Sequence, residues 1–210
     1  MNTLKFIVDK YNLDTDKKII VEISNVGRSN LADWIHELDF KTGVEVGVAN
    51  GYFSEILCKA NPQMKLIGID PWLPYAEYSD YKKQSTFNAL ENEAIEKLSK
   101  FTNYEFMKEM SMDAVKKFED NSLDFVFIDA NHKDPYITQD IEEWSKKVKS
   151  GGIVSGHDFV KIADVNWNVK DAVLRYVVKQ NIKPLLVLGA SARKTGTIRE
   201  LHRSWMFVKK

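Results

Sequence analysis

The 210-residue chain is short of the features that mark secreted scaffolds and membrane proteins. Its single cysteine, Cys58, cannot form a disulfide within the chain, so a disulfide-stabilised extracellular fold is excluded and we expect a cytoplasmic protein. No apolar run approaches the ~18 residues needed to cross a bilayer, and residues 1–6 contain no apolar signal-peptide core. We therefore expect a soluble protein that has no membrane partner.

The chain also has no excess of either charge, since 30 Lys and Arg residues balance 30 Asp and Glu residues. A neutral chain offers no broad positive field to attract nucleic acid, so we expect a small molecule as its partner. With 44% hydrophobic residues the chain can bury one full core, and no linker or low-complexity tract divides it.

Seven short apolar runs predict β-strands, and helical periodicity fills most of the gaps between them. The runs cover residues 42–48, 65–70, 104–107, 123–129, 152–157, 184–188 and 204–208. Alternating strands and helices are typical of a parallel sheet with helices on both faces. The last two runs are joined by a loop without a helix, which favours antiparallel pairing. The sequence therefore predicts an α/β fold with a seven-stranded, mostly parallel sheet and an antiparallel last strand.

The region before the first predicted strand has a different character. Residues 1–40 are predicted to form a helical cap, including a helix over Ser29–Leu38 with Ser29 as its N-cap. Residues 41–210 form the main domain in this interpretation. The cap shows no heptad pattern of the kind that forms a coiled-coil interface. We nevertheless expect a homodimer.

A glycine-rich turn follows the first predicted strand and is typical of a ligand-binding loop. Glu45 lies inside the strand, and Gly47, Ala49 and Gly51 follow it. Glycines allow a sharp turn and a close approach of the backbone to a ligand. A dinucleotide-binding loop needs a second glycine where Ala49 stands, which makes an NAD-dependent oxidoreductase the weaker alternative. A turn without any ligand is the other alternative.

Two pairs of histidine and aspartate follow neighbouring predicted strands. Asp129 ends the run 123–129, and His132 follows it three residues later. His157 ends the run 152–157, and Asp158 follows it directly. The carboxyl ends of parallel strands meet at one edge of a sheet, where such folds bind their ligands. One such residue alone would be more simply explained as a cap or a surface group. Two pairs at one edge favour a functional site.

The glycine loop, together with Asp70 at the end of the second predicted strand, resembles the cofactor-binding half of class I S-adenosylmethionine-dependent methyltransferases, which have a single Rossmann-like domain. The resemblance covers residues 40–160. It implies that Glu45 lies near the methionine end of the cofactor and that Asp70 accepts hydrogen bonds from the ribose hydroxyls. It also implies adenine contacts from Ser111 and Met112. The predicted cofactor-binding residues are thus Glu45, Gly47, Ala49, Gly51, Asp70, Ser111, Met112 and Asp129.

The segments that contain Asp129 with His132 and His157 with Asp158 resemble the sugar O-methyltransferases typified by macrocin O-methyltransferase and, more distantly, catechol O-methyltransferase. This resemblance implies a divalent metal, Mg²⁺ or Mn²⁺, on Asp129, His157 and Asp158, with His132 as the catalytic base beside Asp129. His157 stands where the relatives have a carboxylate. A nitrogen ligand suits manganese, iron or zinc better than magnesium.

The sequence therefore predicts an S-adenosylmethionine-dependent O-methyltransferase that acts on a small polar acceptor, a sugar or a sugar-bearing metabolite. An NAD-dependent oxidoreductase and a non-catalytic nucleotide-binding protein remain as alternatives. An aromatic segment, residues 71–81, directly follows Asp70 and is predicted to form either a lid over the acceptor or an ordinary packed loop.

Overall fold

The computed structural model describes residues 2–16, 18–75, 82–192, 195–200 and 202–210. Within these ranges, no helix combines the length and the apolar character needed to cross a membrane. The elements in chain order are α1 (Thr3–Tyr11), β1 (Ile20–Ile23), α2 (Arg28–Glu37), β2 (Thr42–Val46), α3 (Tyr52–Ala60), β3 (Lys65–Ile69), α4 (Gln84–Leu98), β4 (Tyr104–Met107), α5 (Ser111–Ala114), β5 (Leu123–Ile128), α6 (Tyr136–Lys147), β6 (Val148–Gly156), α7 (Val169–Lys179), β7 (Leu185–Leu188) and β8 (Ser204–Val208).

The strands form one sheet in the order β1-β7-β8-β6-β5-β2-β3-β4. Only β8 runs antiparallel, to β6 on one side and β7 on the other, while all other neighbouring pairs are parallel. The predicted α/β fold with a mostly parallel sheet and an antiparallel last strand is confirmed. The predicted count of seven strands is wrong, because β1 adds an eighth strand at the edge of β7.

The segment before β2 contributes both helices and sheet. In β1, Val21 and Ile23 are buried and Glu22 between them is exposed, which is the alternation of a strand with one covered face. Helix α2 begins at Arg28, and the Asn30 side chain accepts a hydrogen bond from the Gly27 backbone N–H at 2.9 Å. The predicted helix start with Ser29 as N-cap is therefore wrong by two residues. The boundary proposed at residue 40 stays a prediction.

The core lies on both faces of the sheet, and β5 shows why. Phe125 and Phe127 point to the face covered by α2 and α3, whereas Val126 and Ile128 point to the face covered by α6 and α7. Because successive side chains alternate across a strand, a run that is apolar at every position is buried on both sides. Helices therefore cover both faces of the sheet, and the carboxyl ends of the central strands lie together along one edge.

The two central strands β2 and β5 end in close contact. The Asp129 N–H donates a hydrogen bond to Val46 O at 2.8 Å. Gly47 has a φ of +92°, and a β-carbon there would lie 2.2 Å from Asp129 O and 2.8 Å from Ala130 N. Both contacts are with backbone atoms, which cannot swing aside as a side chain would. Glycine is therefore required at 47 by the packing of the protein itself.

This contact predicts that Gly47→Ala destabilises the fold much more than Gly151→Ala. Both glycines have positive φ, +92° and +83°, but a β-carbon at 151 would meet nothing within 4 Å. We expect Gly151→Ala to cost roughly 1 kcal/mol, the ordinary penalty of the left-handed region. Gly47→Ala should cost about two to three times as much because backbone has to move. Urea unfolding of both variants measures the difference, and equal losses would contradict the packing constraint.

Candidate active site

A cleft of about 970 Å³, including space open to solvent, lies beyond the carboxyl ends of the central strands. Most of the predicted cofactor-binding residues line it. Those that do are Gly47, Ala49, Asp70, Ser111, Met112 and Asp129. Glu45 and Gly51 are not part of its lining: Glu45 lies behind the loop, and Gly51, with a φ of +76°, directly precedes α3. The structure thus brings the residues after β2, β3, β4 and β5 to one cavity.

Glu45 is a buried acid, with 2% of its surface exposed. The Ser54 hydroxyl donates a hydrogen bond to its carboxyl group. Burial raises the pKa of Glu45 from 4.5 to about 8, and the bond from Ser54 opposes that shift without cancelling it. Glu45 is therefore neutral near pH 7, and its side chain supports the loop from the core side.

Asp70 accepts hydrogen bonds from the glycine loop. Its Oδ2 accepts hydrogen bonds from the backbone N–H groups of Val48 and Ala49, both at 3.0 Å, and its Oδ1 accepts one from Trp72 N–H at 2.8 Å. Burial raises the pKa of Asp70, against the effect of these three donors. An ionised carboxylate has about four acceptor sites, so three donors leave little capacity for a diol. Its contact with both ribose hydroxyls stays a prediction.

Ser111 is already hydrogen-bonded within the protein. Its hydroxyl donates to Asp140 Oδ1 and accepts the indole N–H of Trp144 at 2.9 Å. Burial raises the pKa of Asp140, which is 3% exposed, to about 7. Asp140 also lines the cavity, a role that the sequence interpretation did not assign to it.

Three of the four predicted catalytic and metal-binding residues meet beside the cavity. His132 Nε2 lies 3.0 Å from Asp158 Oδ2 and 3.5 Å from Asp129 Oδ1. Asp129, His132 and Asp158 each offer one ligand atom within 4.8 Å of the others. His157 is not in that group, although its Nδ1 lies 3.3 Å from Asp158 Oδ2. The imidazole of His132 therefore lies close to both carboxylates, and its ring packs against Trp167 with ring centroids 4.3 Å apart.

Asp158 is the centre of the charge network. Besides His132 and His157, it contacts His202, whose Nδ1 lies 2.9 Å from Asp158 Oδ1. Burial alone would raise the pKa of the Asp158 carboxyl, but its contacts with His132 and His157 outweigh burial and hold that pKa well below its ordinary value. Burial likewise opposes protonation of His157, yet Asp158 and Asp129 raise the pKa of its imidazole. Asp158 therefore remains an anion at neutral pH.

Besides Asp140, Arg28 and His202 at the site were missed from the sequence. Arg28, the first residue of α2, places Nη1 3.7 Å from Asp129 Oδ2 and its guanidinium carbon 5.6 Å from the ring centroids of Tyr52 and Phe53. His202 reaches the site from the segment before β8. Both lie far in sequence from the motifs, and the only available signal was that the chain has just four histidines.

The aromatic segment after Asp70 is described in part. Trp72 is buried and donates its indole N–H to Ala49 O at 2.8 Å, and the Asn131 side chain donates to the Tyr75 hydroxyl at 3.1 Å. Residues 71–75 thus close one wall of the cavity. The rest of the predicted lid, residues 76–81, lies outside the described residues.

The sheet order, the glycine loop after β2 and the acids after β3 and β5 define a methyltransferase of the class I type. The chain belongs to the family described as "Methyltransferase domain", which matches residues 44–159, more than half of the chain. This match confirms the resemblance to class I S-adenosylmethionine-dependent methyltransferases. It also favours a methyltransferase over the NAD-dependent oxidoreductase.

Solved structures share the fold at low sequence identity. A Staphylococcus aureus protein provisionally named as a caffeoyl-CoA O-methyltransferase aligns over 99% of this chain and 90% of its own, with a TM-score of 0.60 and 14% identity. The O-methyltransferase TomG from Streptomyces achromogenes, solved with SAM, covers 87% and 80%, with a TM-score of 0.58 and 13% identity. SAH-bound PaMTH1 from Podospora anserina covers 87% and 78%, with a TM-score of 0.57 and 14% identity. Curated protein sequences gave no match.

The buried acid Glu45 predicts a pH-dependent stability. Because folding raises its pKa from 4.5 to about 8, its contribution to stability is complete below pH 4.5 and is lost as the pH rises through 8. Glu45→Gln can still accept the bond from Ser54 and cannot ionise. We expect its melting temperature to fall by several degrees less than that of the unmodified protein between pH 6 and pH 9. Glu93→Gln, a change at an exposed acid, is the control, and an unchanged slope in Glu45→Gln would contradict the assignment.

Proposed function

We propose that the protein transfers a methyl group from S-adenosylmethionine to a hydroxyl group of a small polar acceptor, a sugar or a sugar-bearing metabolite. The observation that carries this proposal is the meeting of Asp129, His132 and Asp158 at the edge of the cavity. A hydroxyl is a poor nucleophile until its proton is removed, so an enzyme that methylates it needs a base at that position. Amine acceptors make a smaller demand on such a group.

S-Adenosylmethionine is the cofactor that the family and the cavity support. The cavity is lined by the glycine loop at one side and by Asp70, Ser111 and Met112 at the other. TomG and PaMTH1, which share the fold, were solved with SAM and SAH respectively.

The donor set also fits a divalent metal. The carboxylate oxygens of Asp129 and Asp158 and one His132 nitrogen lie within 4.8 Å of one another. With His132 kept as the base, the nitrogen ligand is that of His157, and such a mixed set suits manganese, iron or zinc better than magnesium. When bound, such a metal would lower the pKa of the acceptor hydroxyl. We assign Asp129 and Asp158 as its ligands, with His157 as a further ligand or a support for Asp158. His132 can act as a base only if its Nε2 is not a ligand.

The proposed reaction assigns a separate role to each residue of the site. Methyl transfer from a sulfonium is an in-line displacement, and the leaving thioether needs no proton, so the protein must align the partners and activate the hydroxyl. His132, whose side chain has a reference pKa of ~6.5, takes the hydroxyl proton. The Asp158 carboxylate, 3.0 Å from Nε2, stabilises the imidazolium that results. Trp167 packs against the ring and holds its orientation.

The proposed sugar acceptor rests on the aromatic wall of the cavity. The Tyr75 ring in that wall suits stacking against a sugar ring.

The proposal further includes a cytoplasmic homodimer whose partner is a small molecule rather than nucleic acid or a membrane. A non-catalytic binding protein is the second candidate. The buried Asp158 carboxylate beside His132 speaks against it, because burying a charge that has no use costs stability.

The roles of Asp70 and His132 can be separated by mutation. Asp70→Ala should weaken S-adenosylhomocysteine binding by about 10–100-fold, because it removes the acceptor for three backbone donors. His132→Ala should leave that binding unchanged and lower the turnover number by about 10²–10⁴-fold. Calorimetry measures the first effect, and formation of S-adenosylhomocysteine with a panel of sugars and nucleotide sugars measures the second. His36→Ala, at an exposed histidine, is the control. An equal loss of binding in both site variants would refute the assignment.

Chelation and metal binding test whether a divalent metal assists the reaction. Chelation with EDTA should abolish turnover, and Mn²⁺ should restore it more fully than Mg²⁺, because the donor set includes a nitrogen. Equilibrium dialysis should find about one Mn²⁺ per chain, which Asp129→Asn loses and the exposed-site control Asp164→Asn retains. Full activity after chelation, with no Mn²⁺ bound, would show that the base works without a metal.

A further inference from the structure

Asp140 is a buried acid that the proposed reaction does not use. Its side chain lines the cavity with only 3% of the residue exposed. Its one hydrogen bond within the described residues comes from the Ser111 hydroxyl to Oδ1. A buried carboxyl group with a single donor is costly unless a ligand or solvent supplies another, so its second oxygen calls for a hydrogen-bond partner.

The direction of the hydrogen bonds around Asp140 is fixed by Trp144. An indole N–H can only donate, so the Ser111 oxygen accepts from Trp144 Nε1 at 2.9 Å. The Ser111 hydroxyl hydrogen is then directed to Asp140, and Oδ1 must be an acceptor. This chain of donors leaves Oδ2 as the carboxyl oxygen available to the cavity. When ionised, Oδ2 can only accept a hydrogen bond, and it therefore selects a ligand with a donor group.

Apolar and aromatic groups lie beside Asp140 in the cavity wall, together with the polar side chain of Gln139. Tyr136 lies one helical turn earlier on the same face of α6, and Met112 is the neighbour of Ser111 in α5. Both side chains line the cavity. An aromatic ring and a thioether favour a flat heterocycle between them. The wall thus combines surfaces for a ring with the Asp140 acceptor at the ring's edge.

On the basis of the proposed function, we propose that Asp140 is a specificity-determining residue that accepts a hydrogen bond from the 6-amino group of the cofactor's adenine. Besides the two ribose hydroxyls, which are predicted to bind Asp70, S-adenosylmethionine has two N–H donor groups, the adenine amine and the methionine ammonium. The ammonium is adjacent to a carboxylate, which the apolar side chains of Tyr136 and Met112 would not favour. The base is therefore the part that fits, and the chain should reject a purine with an oxygen at position 6.

The test compares S-adenosylhomocysteine with its 6-oxo analogue, S-inosylhomocysteine, by calorimetry on the full-length protein. At pH 8, where the Asp140 carboxyl, whose pKa burial raises to about 7, is mostly ionised, the unmodified protein should bind the 6-amino ligand about 10–100-fold more tightly. An oxygen at that position meets the ionised Asp140 oxygen without a proton between them. Asp140→Asn should reverse the preference. The Ser111 hydroxyl requires an acceptor, so it would hold the amide oxygen and turn the amide N–H₂, a donor, toward the cavity.

The control is Asp113→Asn, which removes an exposed carboxylate paired with Lys116 and should keep the preference of the unmodified protein. Equal affinities of the unmodified protein for the two ligands would overturn the proposal, even if Asp140→Asn does not fold. A folded Asp140→Asn variant that still prefers the 6-amino ligand would overturn it as well. If the unmodified protein binds neither ligand, the proposed cofactor itself is wrong and the role of Asp140 falls with it.

Discussion

The contact between the backbones of Gly47 and Asp129 is the constraint on which the rest of the active-site edge depends. It is possible only because residue 47 has no β-carbon. By letting β2 and β5 end against each other, it places the glycine loop beside Asp129, a member of the proposed catalytic cluster. The glycine is usually explained by the ligand that approaches the loop. Here the packing of the protein alone requires it, before any ligand is considered.

Around that contact, four acids have four different environments, and environment decides what each can do. Glu45 is buried behind the loop with a single hydroxyl donor and is neutral at pH 7. Asp70 is held by three backbone N–H groups, and Asp140 has one donor and one oxygen left for the cavity. Asp158 faces three histidines and stays ionised. A carboxylate that remains charged is the one suited to hold a cation or an imidazolium.

The sequence predicted the central part of the fold because its strands and helices are visible as local patterns of apolar residues. Strands β2 to β6 are apolar runs, and helical periodicity fills most of the gaps between them. Strand β1 was missed because Glu22 interrupts its apolar run and its partner, β7, is distant in the chain. His202 and Arg28 were missed for the same reason, since only tertiary packing brings them to Asp158 and Asp129. The donors that occupy Asp70 are backbone groups, which leave no mark on a sequence.

The pairing of β1 with β7 has a consequence for the order in which the molecule is completed. Residues 20–23 are synthesised before β2 to β6, but their strand partner, residues 185–188, is synthesised after those strands. The half of the sheet built from β2 to β6 can assemble from contiguous chain, whereas the half that contains β1, β7 and β8 must wait. Until β7 is synthesised, β1 has no strand partner among the described residues. Pairing of β1 with β7 therefore cannot precede synthesis of residues 185–188, and it joins two segments that lie far apart in the chain.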